Sequence, residues 1–129
     1  MQNYIAVERI RYDEQSSITT DIRTTPVSYP LPALLLMPLV ENAFKYSAAL
    51  PEASVQIQLI TQNDVLKFVT RNSYAYAGTP QHGGIGLQNV RKRLQHHFPD
   101  RHLLEIQDTQ HIFTVTLTIY PSAHELPNR

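Results

Sequence analysis

Between Phe113 and Ile119 the chain alternates without a break: Phe113, Val115, Leu117 and Ile119 are separated by Thr114, Thr116 and Thr118. Successive side chains of a strand point to opposite faces, so this segment is a strand with one apolar face and one threonine face. Such a strand is stable only with paired neighbours and a second layer over its apolar side. The same period supplies the neighbours. Leu104 and Ile106 lead to a turn near Asp108 to Gln110 and so into the threonine strand, giving one hairpin. Val55, Ile57 and Leu59 alternate, as do Leu66, Phe68 and Thr70, with Thr61-Gln62-Asn63-Asp64 between them, giving a second. Ile18, Thr20 and Ile22 add a half-buried strand.

The covering layer is expected from three segments of helical period. Tyr4 to about Glu14 carries Val7, Ile10 and one or both of Tyr4 and Ile5 toward the core. From about Pro32 to Ser47, Leu36, Val40 and Phe44 recur every four residues. Pro38 falls inside that stretch and deletes a backbone hydrogen bond, so a kink or a start nearer Pro38 is expected. From Ile85 or Gly86 to about His97, Leu87, Val90 and Leu94 face inward while Arg91, Lys92, Arg93 and Gln95 lie mostly in water. Tyr74 to Gly84 has no period and reads as a loop; Pro121 to Arg129 reads as a frayed tail. The order helix, strand, helix, hairpin, loop, helix, hairpin favours an α+β fold, a two-layer α/β sandwich with a mixed, mainly antiparallel sheet and helices on one face.

Composition narrows the function classes. The 129 residues fit one domain, and 42% hydrophobic residues suffice for a core. Eleven Lys and Arg balance 11 Asp and Glu, which gives no basic face for nucleic acid. Without cysteine there is no disulfide and no thiolate chemistry. The longest apolar run, Ala33 to Met37, is too short to span a bilayer. The chain opens directly on charged helical pattern, as if a longer helical element had been cut.

Two constellations carry chemistry. On a helix, Asn42, Lys45 and Tyr46 lie at i, i+3 and i+4 on the face away from Leu36, Val40 and Phe44. An amide oxygen can ligate Mg²⁺, an ammonium can meet phosphate, and a tyrosine ring can pack on a base. Glu41, beside them, can orient or deprotonate an attacking group. An ordinary solvated helix face would use the same residue types. The second constellation is Gly83-Gly84-Ile85-Gly86-Leu87, where glycines before a helix let backbone N–H groups approach an anion. A short glycine run before a helix is also a common loop and cap, and this one is not the dinucleotide fingerprint, because no strand directly precedes it.

Together, and in this order, the two resemble the nucleotide-binding domain of histidine kinases in the GHKL ATPase superfamily, and most closely the LytS-like sensor kinases. PLVENAFKYS, Pro38 to Ser47, resembles that family's N box; GGIGLQNVRKRL, Gly83 to Leu94, resembles its second glycine box and following helix; YIAVERIRY, Tyr4 to Tyr12, is similar to the helical lead into the domain. The resemblance implies the Bergerat fold with ATP held under a lid formed by Tyr74 to His82. It implies Asn42 as the Mg²⁺ ligand, Glu41 assisting the reacting phosphate, Lys45 contacting phosphate and Tyr46 lining the adenine side. Gly84 and Gly86, with Ile85 and Leu87, would shape the phosphate side. Where the family carries an Asp-x-Gly-x-Gly box this chain reads Arg71-Asn72-Ser73-Tyr74-Ala75, so Asn72 takes the aspartate's place as a neutral acceptor for the adenine amino group. Pro38 stands where many kinases outside the subgroup have asparagine.

The resemblance also implies a phosphoacceptor histidine on upstream dimerisation helices, a response regulator as partner, and a cytoplasmic domain whose parent is anchored in the bacterial inner membrane, with no membrane contact by the domain itself. None of the chain's six histidines fits the phosphoacceptor role: His82, His96, His97, His102 and His111 read as surface residues, and His124, though followed by Glu125, lies in the tail. His96 and His97 are adjacent, so they should point apart and make no zinc site. Two classes of function stay open: a kinase domain donating the ATP γ-phosphoryl, or a degenerate domain that docks or regulates with weak or no ATP binding. A related anti-sigma-factor serine kinase is a lesser third.

Overall fold

The computed structural model describes residues 17–32, 35–47, 53–73, 85–109 and 111–122, with the side chains of Ser17, Tyr46, Ser47, Ile85 and Gly86 left aside. The expected lead-in helix over residues 1–14, the lid of residues 74–82, Gly83, Gly84 and the tail beyond residue 122 lie outside the described residues. The described residues form five strands: β1 (Ser17–Arg23), β2 (Ser54–Gln62), β3 (Val65–Ser73), β4 (His102–Thr109) and β5 (Ile112–Ile119). They form one sheet in the order β1-β2-β3-β5-β4. β1 runs parallel to β2, and every other pairing is antiparallel. The β2–β3 connection is shorter than the four residues read from sequence. Only Asn63 and Asp64 turn, with φ of 54° and 65°, the left-handed pair that a two-residue hairpin requires and that Asn and Asp tolerate best. β4 and β5 stay paired as far as Thr109 and Ile112, so Asp108 and Thr109, expected in the turn, belong to the strand, and His111 has φ 63°.

The alternation becomes rows across the sheet. Ile18, Val55, Asn72, Phe113 and Asp108 make one row; Thr20, Ile57, Thr70, Val115 and Ile106 the next; Ile22, Leu59, Phe68, Leu117 and Leu104 the third. Their central members are buried: Val55, Phe68, Phe113 and Leu117 are all 0% exposed. The threonines of β5 take the other face and are half-buried.

Two helices cover the apolar face, α1 (Met37–Ser47) and α2 (Ile85–His97). α1 packs on β2 and β3 and against α2, which touches β4. Leu39, Val40, Ala43 and Phe44 of α1 and Leu87, Val90 and Leu94 of α2 join the strand residues in a single buried cluster. Burial of a large apolar side chain is worth about 1.5–3 kcal/mol, so this cluster is what holds helices to sheet. Of the two outcomes expected of Pro38, a kink or a later start, the structure shows the start: the helix begins at Met37, not at Pro32. Pro38 thereby falls in the first turn, where its missing N–H has no intrahelical acceptor to lose, and Leu36 O receives both Leu39 N (3.0 Å) and Val40 N (3.3 Å).

The segment between β1 and α1 is fastened to the far end of the sheet from Asn72. Thr25 N donates to Thr61 Oγ1 (2.5 Å), Thr25 Oγ1 donates to Thr61 O (2.9 Å), and Thr61 Oγ1 donates to Thr25 O (2.7 Å). Ser28 gives its backbone N–H (2.6 Å) and its hydroxyl to the two carboxylate oxygens of Asp64. Those two bonds hold the Asp64 carboxyl below its ordinary range. Tyr29 is buried alongside, its hydroxyl donating to Asp64 O (3.0 Å) and facing Ile119 O (3.3 Å); desolvation, then the Asp64 charge, push its phenol above the usual value.

Candidate functional site

From Leu39 to Lys45 α1 is amphipathic, and its two faces separate packing from chemistry. With Leu39, Val40, Ala43 and Phe44 turned to the core, Glu41 and Lys45 are exposed and Asn42 is half-buried at the edge of the packed stripe. Asn42 is thus the member of the group held between core and solvent. Lys45 lies in the last turn, where a cation complements the partial negative charge of the helix end. Tyr46 is one residue further on in the same turn, its side chain outside the described residues.

Asn72 sits near the end of β3 on the helix-covered face, 2% exposed. Its row neighbours are Val55 and Phe113, both 0% exposed, so a polar amide is set between two apolar side chains. Nδ2 donates to Ser73 O (3.2 Å), which leaves Oδ1 as the acceptor of the amide. Ser73 is fixed in turn, its Oγ accepting from Ser54 N (2.8 Å) and facing Ser54 O (3.4 Å). Thr70, 1% exposed in the adjacent row, is a second buried polar side chain that the alternation alone reads as a core position.

The second glycine segment enters α2. Ile85 and Gly86 are its first two residues, and Leu87 is buried at 3% exposure. No acidic residue occupies the first turn of α2, so that turn itself supplies no charge to offset the positive end of the helix dipole. α1, which bears Asn42, rests on β3, which bears Asn72, and against α2, which bears Leu87.

Four histidines lie among the described residues, and His82 and His124 lie outside them. His96, His97 and His111 are exposed, and His102 Nδ1 donates to Phe98 O at 2.7 Å. His96 and His97 do not point apart: their rings meet edge to face with centroids 4.8 Å apart at the end of α2. Among the described residues no three His, Cys, Asp or Glu side chains group to hold a metal, and no helix is long and apolar enough to cross a membrane.

No protein-family model matches the sequence, and no curated protein matches it. Solved structures do match the fold. The catalytic domain of the histidine kinase ThkA superposes with a TM-score of 0.66 at 13% identity, over 93% of this chain and 87% of that one. This chain folds as a histidine-kinase catalytic domain does. The histidine kinase AdeS of Acinetobacter baumannii gives a TM-score of 0.65 at 17% identity, over 92% of this chain and 61% of that one. ThkA in complex with the response regulator protein TrrA gives 0.59 at 11% identity, over 98% of this chain and 42% of that one. The histidine-kinase catalytic-domain fold is therefore matched over nearly the whole chain, at identities low enough that packing, not sequence, carries the likeness.

Proposed function

We propose that this chain is the ATP-binding catalytic domain of a two-component sensor histidine kinase of the LytS-like type. The observation that carries the reading is that the helix bearing Glu41, Asn42 and Lys45 lies on the strand bearing Asn72 and against the helix entered through Gly84, Ile85 and Gly86. In this reading Asn42 ligates Mg²⁺, Lys45 meets phosphate, Tyr46 lines the adenine side and Asn72 Oδ1 accepts from the adenine amino group. The donor set fits: Asn42 is half-buried beside exposed Lys45, and the Asn72 amide, whose Nδ2 already donates to Ser73 O, offers Oδ1 as an acceptor. Bound Mg²⁺ would neutralise phosphate charge. The residues of α1 orient the nucleotide, Glu41 assists at the reacting phosphate, and the backbone from Gly84 to Leu87 with the start of α2 favours anionic oxygens. The γ-phosphoryl would pass to a histidine on the dimerisation helices of the parent kinase, and from there to a response regulator, the kind of protein with which ThkA was solved. The parent is read as anchored in the bacterial inner membrane with this domain on the cytoplasmic side.

The second reading, a degenerate domain that docks or regulates, is favoured by one observation. Asn72 is neutral and enclosed by Val55 and Phe113, so its single amide acceptor bonds a base about half as strongly as a carboxylate would. Thermal unfolding with and without Mg-ATP separates the two. A ligand at a hundred times its dissociation constant stabilises by about 2.7 kcal/mol, so a rising midpoint on titration supports the kinase domain. An unmoved midpoint at millimolar Mg-ATP, with cooperative unfolding intact, rejects it in favour of the degenerate domain.

A further inference from the structure

We infer that Arg101 is a positioning residue: it ties the segment leading into α1 to the C-terminal end of α2 and so keeps the two helices of the proposed site in one register. Only its consequence for nucleotide binding rests on the function proposed above. Arg101 follows the end of α2 by four residues, and its guanidinium carbon lies 4.8 Å from the ring centroid of Tyr29 and 5.3 Å from that of Phe98. The two rings meet edge to face, 5.7 Å apart. Nε donates to Tyr120 O (2.8 Å) while Tyr120 N donates to Arg101 O (2.9 Å), which fixes the side chain to the end of β5. Tyr29 carries the connection onward, since it belongs to the same buried cluster as Leu35, Leu36 and Leu39 at the start of α1. One planar cation thus joins α2, β5 and the approach to α1. Stability alone is a poor reason for the arginine, because its Nη2 is buried with no acceptor among the described residues, a cost that an apolar side chain of similar length avoids. A guanidinium can lie against two rings and still direct Nε at a carbonyl, which an ammonium cannot.

Hydrogen exchange on the whole chain tests this, comparing the wild type with Arg101→Met and Arg101→Lys. The expected result for Arg101→Met is exchange about tenfold faster across the amides of α1, with β2 and β3 unchanged; Arg101→Lys, which keeps a cation near the rings, falls between. If Arg101→Met fails to fold, the same α1-selective rise in Arg101→Lys decides the matter. Unchanged exchange in α1, or a uniform rise in α1 and sheet together, overturns the inference. Mg-ATP titration adds a separate readout: in a wild type that binds, affinity at least about threefold weaker in Arg101→Met supports the inference and unchanged affinity overturns it. A wild type that does not bind rejects the proposed function, while the exchange pattern still decides the role of Arg101.

Discussion

Replacing Asn72 with aspartate sets at this position the acid that the proposed function would expect there and, by the packing around it, should destabilise the fold. Asn72 is 2% exposed, between Val55 and Phe113, and its Nδ2 donates to Ser73 O at 3.2 Å. The exchange is nearly isosteric, so lost volume contributes little. It sets a carboxylate oxygen against a carbonyl oxygen, in a place that offers it no counter-charge from either row neighbour. Full burial raises a carboxyl by up to 3–5 pKa units, and partial relaxation makes roughly 2–3 units reasonable here. At about 1.36 kcal/mol per unit this is roughly 3–4 kcal/mol at pH 7, or about 10–20 °C in the unfolding midpoint of a chain this size. The sign follows from linkage. The folded pKa lies above the unfolded one, so the penalty is full above the raised folded value and disappears as pH falls below about 4. Urea unfolding of Asn72→Asp and wild type from pH 4 to pH 8 measures it. A variant as stable as the wild type at pH 7, with no growth of the difference between pH 4 and 7, would refute the reasoning and place position 72 in contact with solvent.

Other perturbations act on separate parts of the account. Phe68→Ala, at a side chain 0% exposed in the third row of the sheet, should cost about 3–5 kcal/mol by chemical denaturation, and a cost below about 1 would mean the site refills. Asp64→Asn should weaken the hold on Ser28. Because the Asp64 carboxyl is held below its ordinary value of 3.8, the wild type's advantage is fully present above about pH 4 and is lost as pH falls through the lowered value; an advantage unchanged in stronger acid would contradict this. Thr61→Val removes a hydroxyl that accepts from Thr25 N and donates to Thr25 O, at an expected cost of about 1–3 kcal/mol, and hydrogen exchange should rise locally at residues 24–28.

What the sequence discloses here is whatever repeats at short range. The strict alternation from Phe113 to Ile119 and the inward positions Leu87, Val90 and Leu94 translate directly into buried rows, because strand and helix periods are local properties of the chain. Pro38 was informative for the same reason: its missing N–H made Met37 the practical start of α1. The fasteners are different. Thr25 with Thr61, Ser28 with Asp64 and Arg101 with Tyr29 join residues far apart in the chain, each an unremarkable polar residue until the sheet brings it to its partner. The parallel pairing of β1 with β2 has no local signature either, since the crossover through α1 decides it. In the candidate site, the helical spacing of Asn42 and Lys45 was legible. The enclosure of Asn72 was not, because an asparagine ending an alternating strand reads equally well as a solvated terminus.

The central claim is that α1 presents a nucleotide site through Asn42, and calorimetric titration with Mg-ATP tests it most directly, comparing the wild type with Asn42→Ala. Asn42 is half-buried outside the core cluster, so the variant should fold and unfold like the wild type. The account predicts saturable wild-type binding that is lost in Asn42→Ala, whereas equal binding by both, or none by either at millimolar Mg-ATP, would contradict it.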